Sequence, residues 1–219
     1  MKKFVFFIFV LFFLLLSLAF TFKTENNFPL FGKLIVLDPG HGGVDPGAVY
    51  KDLYEKNYNL TFALTLKNVL ERNGASVLMT RYGDYDLSSP NVSSRKRSDF
   101  NNRIKLIDEW SPDMYISLHM NYLNQTEYYG AQVFYANSHE RNKYISELFQ
   151  KELNYYFSFS KETKKIGEDK YMFKRIKTKG ILIEYGFISS PKDRQNLMEE
   201  DYRIELSQVV VNALIKYFT

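Results

Sequence analysis

The chain contains no cysteine in its 219 residues. That excludes a disulfide framework, a Cys-ligated metal and a Cys nucleophile together. It fits either side of a membrane, so cysteine usage assigns no compartment. Net charge is also small, at +4. Setting aside Lys2 and Lys3 leaves about +2, too little to argue for nucleic acid as a partner. The basic run Arg95-Lys96-Arg97 reads first as a solvated helix start and second as a contact to an anionic polymer. No internal repeat is visible, and no second domain is expected after the last predicted helix. Histidine is scarce, with three in the chain.

The N-terminus carries an export signal. Met1-Lys2-Lys3 is a positive start, and Phe4 to Phe20 is apolar except for Ser17. A run of that length serves either as a membrane anchor or as the core of a cleaved signal peptide. Ser17-Leu18-Ala19 is a small-x-small cleavage site inside the run. An uncleaved anchor would keep the lysines inside and the domain outside. Both readings export the domain. The expected organisation is residues 1–22 as signal or anchor, 23–32 as a polar linker and 33–219 as one catalytic domain. The last has about 190 residues, enough for a single sizeable core.

The pattern along that domain alternates strand and helix. Lys33 to Leu37, Ser76 to Thr80, Met114 to Leu118, Ala131 to Tyr135 and Ile181 to Ile183 are short apolar runs that read as strands. Tyr171 to Phe173 reads as a further short edge strand. Helical spacing marks Glu55 to Arg72, Arg95 to Trp110, Asn142 to Phe157, Pro191 to Met198 and Tyr202 to Phe218. The fold class is therefore α/β, with a mostly parallel sheet flanked by helices. In such sheets a site forms at the carboxyl edge of the strands.

Three distant groups could meet there at one zinc ion. His41 sits in a turn with Gly40, Gly42, Gly43 and Gly47, where glycine permits close backbone approach. It is either a metal ligand or an exposed turn residue. The glycine spacing fits no nucleotide-binding fingerprint. Glu55 opens a helix, as a ligand or as a partner of the helix dipole. His119 ends a buried strand, as a ligand or as a hydrogen-bonded core residue. Glu184 ends the Ile-Leu-Ile run, and burying a carboxylate there is costly unless it is paired or near a metal. His139 reads as solvent-exposed beside a helix cap. Two His and one Glu suit catalytic zinc, because three protein ligands leave a position for water.

In order and wording, these motifs resemble one family. Ile35-Val36-Leu37-Asp38-Pro39-Gly40-His41-Gly42-Gly43, Glu55-Lys56, Ser117-Leu118-His119-Met120-Asn121 and Leu182-Ile183-Glu184-Tyr185-Gly186-Phe187 are similar to those of zinc-dependent N-acetylmuramoyl-L-alanine amidases of the type 3 family. The resemblance covers nearly all of residues 33–218. It implies that His41, Glu55 and His119 bind one Zn2+ and that Glu184 is the catalytic carboxylate. It also implies a sheet of about six strands. Asp38 and Asp45 are expected to hold the loop or orient His41, or to serve the turn alone. Asn121 is expected to contact substrate or to fix its own loop.

Arg95 to Phe100 with Arg103, and Gly130 to Tyr135, resemble the sporulation and germination branch. That branch implies stem-peptide removal from peptidoglycan during muramic δ-lactam formation in spore cortex. It further implies a polysaccharide deacetylase in the same pathway and an exported activator or lipoprotein as partner. The competing readings are a wall-remodelling amidase of growth or division, a peptidoglycan endopeptidase, and an inactive wall-binding module.

Overall fold

The computed structural model describes residues 28–167 and 170–219. The segment expected as signal or anchor, and most of the expected linker, lie outside the described residues. Among the described residues no helix is long and apolar enough to cross a membrane. Leu30 is already fully buried, and its amide donates to Asn73 O.

Six strands form one sheet. They are β1 (Leu34–Pro39), β4 (Ser76–Met79), β5 (Met114–Asn121), β6 (Gln132–Tyr135), β7 (Lys164–Lys165) and β8 (Gly180–Phe187). Their order is β4-β1-β5-β8-β6-β7. Every pair is parallel except β6 against β8. The helices are α1 (Glu55–Arg72), α2 (Arg95–Trp110), α3 (Asn142–Phe157), α4 (Pro191–Met198) and α5 (Glu200–Phe218). A small hairpin, β2 (Val49–Tyr50) with β3 (Leu53–Tyr54), stands between β1 and α1.

Strand alternation divides the core into two layers. On one face Ile35, Leu37, Ile116, Leu118, Ile181 and Ile183 pack with the inner sides of α1, α3 and α5. On the other face Val36, Tyr115 and Leu182 pack with Ile107 of α2 and with Met172, Phe173 and Ile176. The same period sends Asp38, Ser117, His119 and Glu184 to this second face, at the carboxyl ends of three adjacent strands. β5 and β8 pair His119 directly with Glu184.

Helix termini follow from local chemistry. Ser94 Oγ accepts from Arg97 N at the start of α2, and Ser190 Oγ accepts from Asp193 N at the start of α4, which begins at Pro191. On α1 the buried face carries Phe62, Ala63, Leu66, Val69 and Leu70, while Leu64 turns outward. The large apolar side chains of this face contribute on the order of 1.5–3 kcal/mol each by burial.

The edge strand differs from the sequence expectation. Tyr171 to Phe173 is a turn, and the sheet edge is Lys164–Lys165. Consecutive Met172 and Phe173 are both buried in the second layer. That is incompatible with a strand's alternation, so the segment plugs the core instead of extending the sheet.

Candidate metal centre

His41, Glu55 and His119 offer donor atoms that all lie within 4.8 Å of one another. Each comes from a different element. His41 lies in the loop after β1, Glu55 opens α1, and His119 lies near the end of β5. The two imidazoles meet edge to face, with centroids 4.9 Å apart. Glu55 bridges them: Oε1 is 2.9 Å from His119 Nδ1 and Oε2 is 3.2 Å from His41 Nε2. A donor set of two imidazoles and one carboxylate, converging at a cleft, fits a zinc ion with room for further ligands.

Glu55 is held from the backbone side. Ala48 N donates to Oε2 at 2.8 Å and Met120 N to Oε1 at 3.1 Å. Asn59, one helical turn on, donates to Oε1 and to Gly40 O, and its own Oδ1 accepts from Tyr185 OH. The loop must approach closely. At Gly47, with φ +69, a Cβ would lie 2.6 Å from Glu55 Oε2 and 2.7 Å from His41 Cδ2. At Gly40 it would run into the His119 ring.

His41 itself has φ +63, unusual for a residue with a Cβ. Two buried arginines clamp the strained loop through its carbonyls. Arg103 donates to Pro39 O and, at 2.6 Å, to His41 O. Arg81 donates to Pro39 O, Gly40 O, Lys56 O and Gly83 O. Asp38 is fully buried and does not reach the His41 ring. It accepts from Arg103 at 2.7 Å, from Thr80 Oγ1 at 2.7 Å and from Ser117 Oγ at 2.8 Å. Asp99 holds the other side of Arg103 at 2.9 Å.

Asp45 Oδ2 is 2.9 Å from His41 Nδ1, close but poorly aligned for a hydrogen bond. Asn121 Oδ1 accepts from Tyr122 N, and Asn121 O accepts from Ile188 N, so its described contacts are to loop backbone. His139 is remote from this cluster. It is half-buried in the turn before α3, where Nδ1 accepts from Arg141 N.

Electrostatics separate the two glutamates. Burial opposes ionisation of Glu55, but contacts with His119 and His41 outweigh it and hold the group well below the carboxylate range. At Glu184 the opposing charges of His41 and Lys170 are outweighed. Burial, reinforced by the Glu55 charge, pushes it up to about 8. Its Oε2 is sealed from solvent and, among the described residues, makes no hydrogen bond. Burial also opposes protonation of His41, yet the Asp45 and Glu55 carboxylates hold it at about 9. Asp45 falls to about 2 through its contact with His41. A cavity of about 400 Å³ opens over the cluster, lined at its floor by His41, Glu55, His119 and Glu184.

The positioning residues Arg81, Asn59, Thr80 and Ser117 were not singled out by sequence reasoning. Arg81 gave no signal in the pattern. Asn59 lies four residues after Glu55, hence on the same helix face, and that spacing could have marked it.

The family model described as N-acetylmuramoyl-L-alanine amidase (Amidase_3) matches residues 35–216. The chain is 34% identical to the germination-specific N-acetylmuramoyl-L-alanine amidase of Bacillus subtilis, over 100% of this chain and 96% of that one. It is 31% identical to the probable cell wall amidase LytH of Staphylococcus aureus, over 90% of this chain and 62% of the relative. The structure of the CwlD amidase from Clostridioides difficile in complex with the GerS lipoprotein superposes with a TM-score of 0.77 at 33% identity, covering 85% of this chain and 98% of that one.

Proposed function

This chain belongs to the N-acetylmuramoyl-L-alanine amidase family Amidase_3, and on that premise we propose that its substrate is the stem-bearing glycan of spore cortex. The bond cut is the amide between the lactyl group of N-acetylmuramic acid and L-alanine. Removal of the stem would prepare muramic acid for δ-lactam formation, with a polysaccharide deacetylase acting next. The germination-specific relative supports the setting, and the carboxylate of Glu184 placed beside His41, Glu55 and His119 supports the chemistry.

His41, Glu55 and His119 would hold Zn2+. When bound, it supplies a Lewis acid and a water acidified to a pKa near ~7. The Glu184 carboxylate, at the floor of the cavity, takes the proton of the attacking water and passes it to the departing L-alanine nitrogen. Its burial favours the protonated form that this second transfer needs, and the charge of a bound cation would favour the ionised form that the first transfer needs. Asp45 steadies the His41 ring from the Nδ1 side. Asp38 acts at one remove, by anchoring Arg103 and through it the carbonyls of Pro39 and His41.

The setting outside the cytoplasm follows from the substrate, and the segment 1–22 serves as the export signal or anchor. An exported lipoprotein is the partner we assign, since the CwlD relative is seen in complex with one.

The Glu184→Gln and His119→Ala variants separate binding from chemistry. Glu184→Gln is expected to retain about one zinc per chain, as a ligand set of three predicts, and to lose nearly all hydrolysis. His119→Ala is expected to lose both zinc and hydrolysis. Full activity in Glu184→Gln, or unchanged metal content in His119→Ala, would remove that residue from its role.

A further inference from the structure

The cavity over the metal centre is also lined by residues that the chemistry above does not use. Lys96 and Phe100 on α2, Lys170 and the 171–173 turn line it together with the metal cluster. The walls are apolar: Phe100, Met172, Phe173 and Leu182. Tyr171 is clamped between arginines, with the Arg97 and Arg175 guanidinium carbons 3.5 Å and 3.7 Å from its ring centroid. Phe100 stacks against it. The wall on this side is thus held by ring contacts, and the Lys96 ammonium stands beside it.

Lys96 shares the cavity lining with Lys170 and the buried Arg103. Lys56 and Arg95 are each 2.7 Å from an aspartate, Asp84 and Asp86 respectively. Among the described residues the acid nearest Lys96 is Asp45, 3.9 Å away, and that carboxylate already faces His41. The Lys96 side chain is 67% exposed. Its ammonium therefore stands at the cavity edge with a distant, shared counter-ion.

Distance decides what it would meet. Through Asp45 Oδ2, Lys96 Nζ lies within about 7 Å of His41 Nδ1, and two extended residues span about the same length. A glycan strand continues on both sides of the cleaved unit and needs an open groove. A short side branch can end in a pocket of this size. The leaving group is such a branch: L-alanine followed by a γ-linked D-glutamate, whose α-carboxyl is either free or amidated in bacterial walls.

We infer that the part of the cavity lined by Lys96, Phe100 and the 171–173 turn takes the stem peptide and that Lys96 reads the free α-carboxylate of its second residue. The inference rests on the amidase reading and adds a preference within it: stems with a free D-glutamate α-carboxylate over stems carrying the carboxamide. Lys96 pairs with the carboxylate as a point charge, and the carboxamide offers it no charge to meet. At a half-open rim the expected preference is roughly tenfold in kcat/KM, shrinking as salt is raised.

The test presents zinc-loaded protein, supplied with its exported partner, with two muropeptides that differ only in that carboxyl or carboxamide, and compares Lys96→Gln with Lys105→Gln, an exposed α2 residue outside the cavity lining. In parallel, calorimetry measures the binding of L-Ala-γ-D-Glu and its amide. The inference expects faster cleavage and tighter binding of the free acid, a ratio near one in Lys96→Gln, and an unchanged ratio in Lys105→Gln. Equal cleavage and equal binding of the two stems, or a preference that survives Lys96→Gln, overturns the inference and leaves the amidase reading standing. Failure to cleave either stem, with neither peptide bound, overturns both.

Discussion

Replacing Arg103 by Met tests how the metal loop is held. The guanidinium is 2% exposed and makes a 2.7 Å ion pair with Asp38, itself fully buried. It also carries Asp99 and two carbonyls of the strained loop, those of Pro39 and His41. Methionine fills much of the volume but leaves Asp38 with only Thr80 and Ser117 as partners. Breaking a buried pair in this way costs about 3–5 kcal/mol. For a domain of this size that lowers the thermal midpoint by roughly 6–20 °C.

The pH dependence of that loss has a definite sign. In the native protein burial would raise the Asp38 pKa, but Arg103 and the two hydroxyl hydrogen bonds hold it below its ordinary value. Its stabilisation is present above the unfolded carboxylate range and is lost as pH falls through the lowered folded value. In Arg103→Met burial dominates and the folded value rises. The penalty is then absent below the unfolded pKa and grows as pH increases toward the raised one. Urea unfolding at pH 7 and pH 4 should show the variant most destabilised at pH 7, with the gap narrowing at pH 4 and m unchanged. A cost below about 1 kcal/mol at pH 7, or a gap that widens in acid, would refute this account of the Asp38–Arg103 pair.

Two further outcomes follow from the same geometry. Gly47→Ala places a methyl against Glu55 and His41 at φ +69. It should cost about 1–2 kcal/mol in backbone strain and weaken zinc binding, both measurable by thermal melting with and without metal. Because His41 is held at about 9 by Asp45 and Glu55, zinc binding must displace a proton. Apparent zinc affinity by chelator competition should fall about tenfold per pH unit below that value, and a flat profile between pH 6 and 8 would contradict the His41 environment.

The site was legible where chemistry conflicts with its surroundings. A carboxylate ending an Ile-Leu-Ile strand and an imidazole framed by glycines stand out without coordinates. The strands around them were legible too, because β5 and β8 are short apolar runs with no competing helical spacing. Arg81 and Arg103 were different. Their partners are mostly backbone carbonyls, 42 and 64 positions away at Pro39, and a carbonyl leaves no trace in residue type. The hairpin at Val49–Tyr50 and Leu53–Tyr54 has strands of two residues, too short for any period. The edge at Lys164–Lys165 carries no apolar alternation at all. Its place is set by pairing with Phe134 and Tyr135 on β6, a tertiary fact.

The most direct test of the central claim is a product analysis. The folded domain, loaded with zinc or treated with chelator and supplied with its exported partner, is incubated with defined cortex peptidoglycan, and the fragments are identified by mass spectrometry. The account predicts zinc-dependent release of peptides beginning at L-alanine, leaving glycan with intact lactyl-muramic acid. Release of peptides beginning at any other residue, or release that persists in chelator, would contradict it.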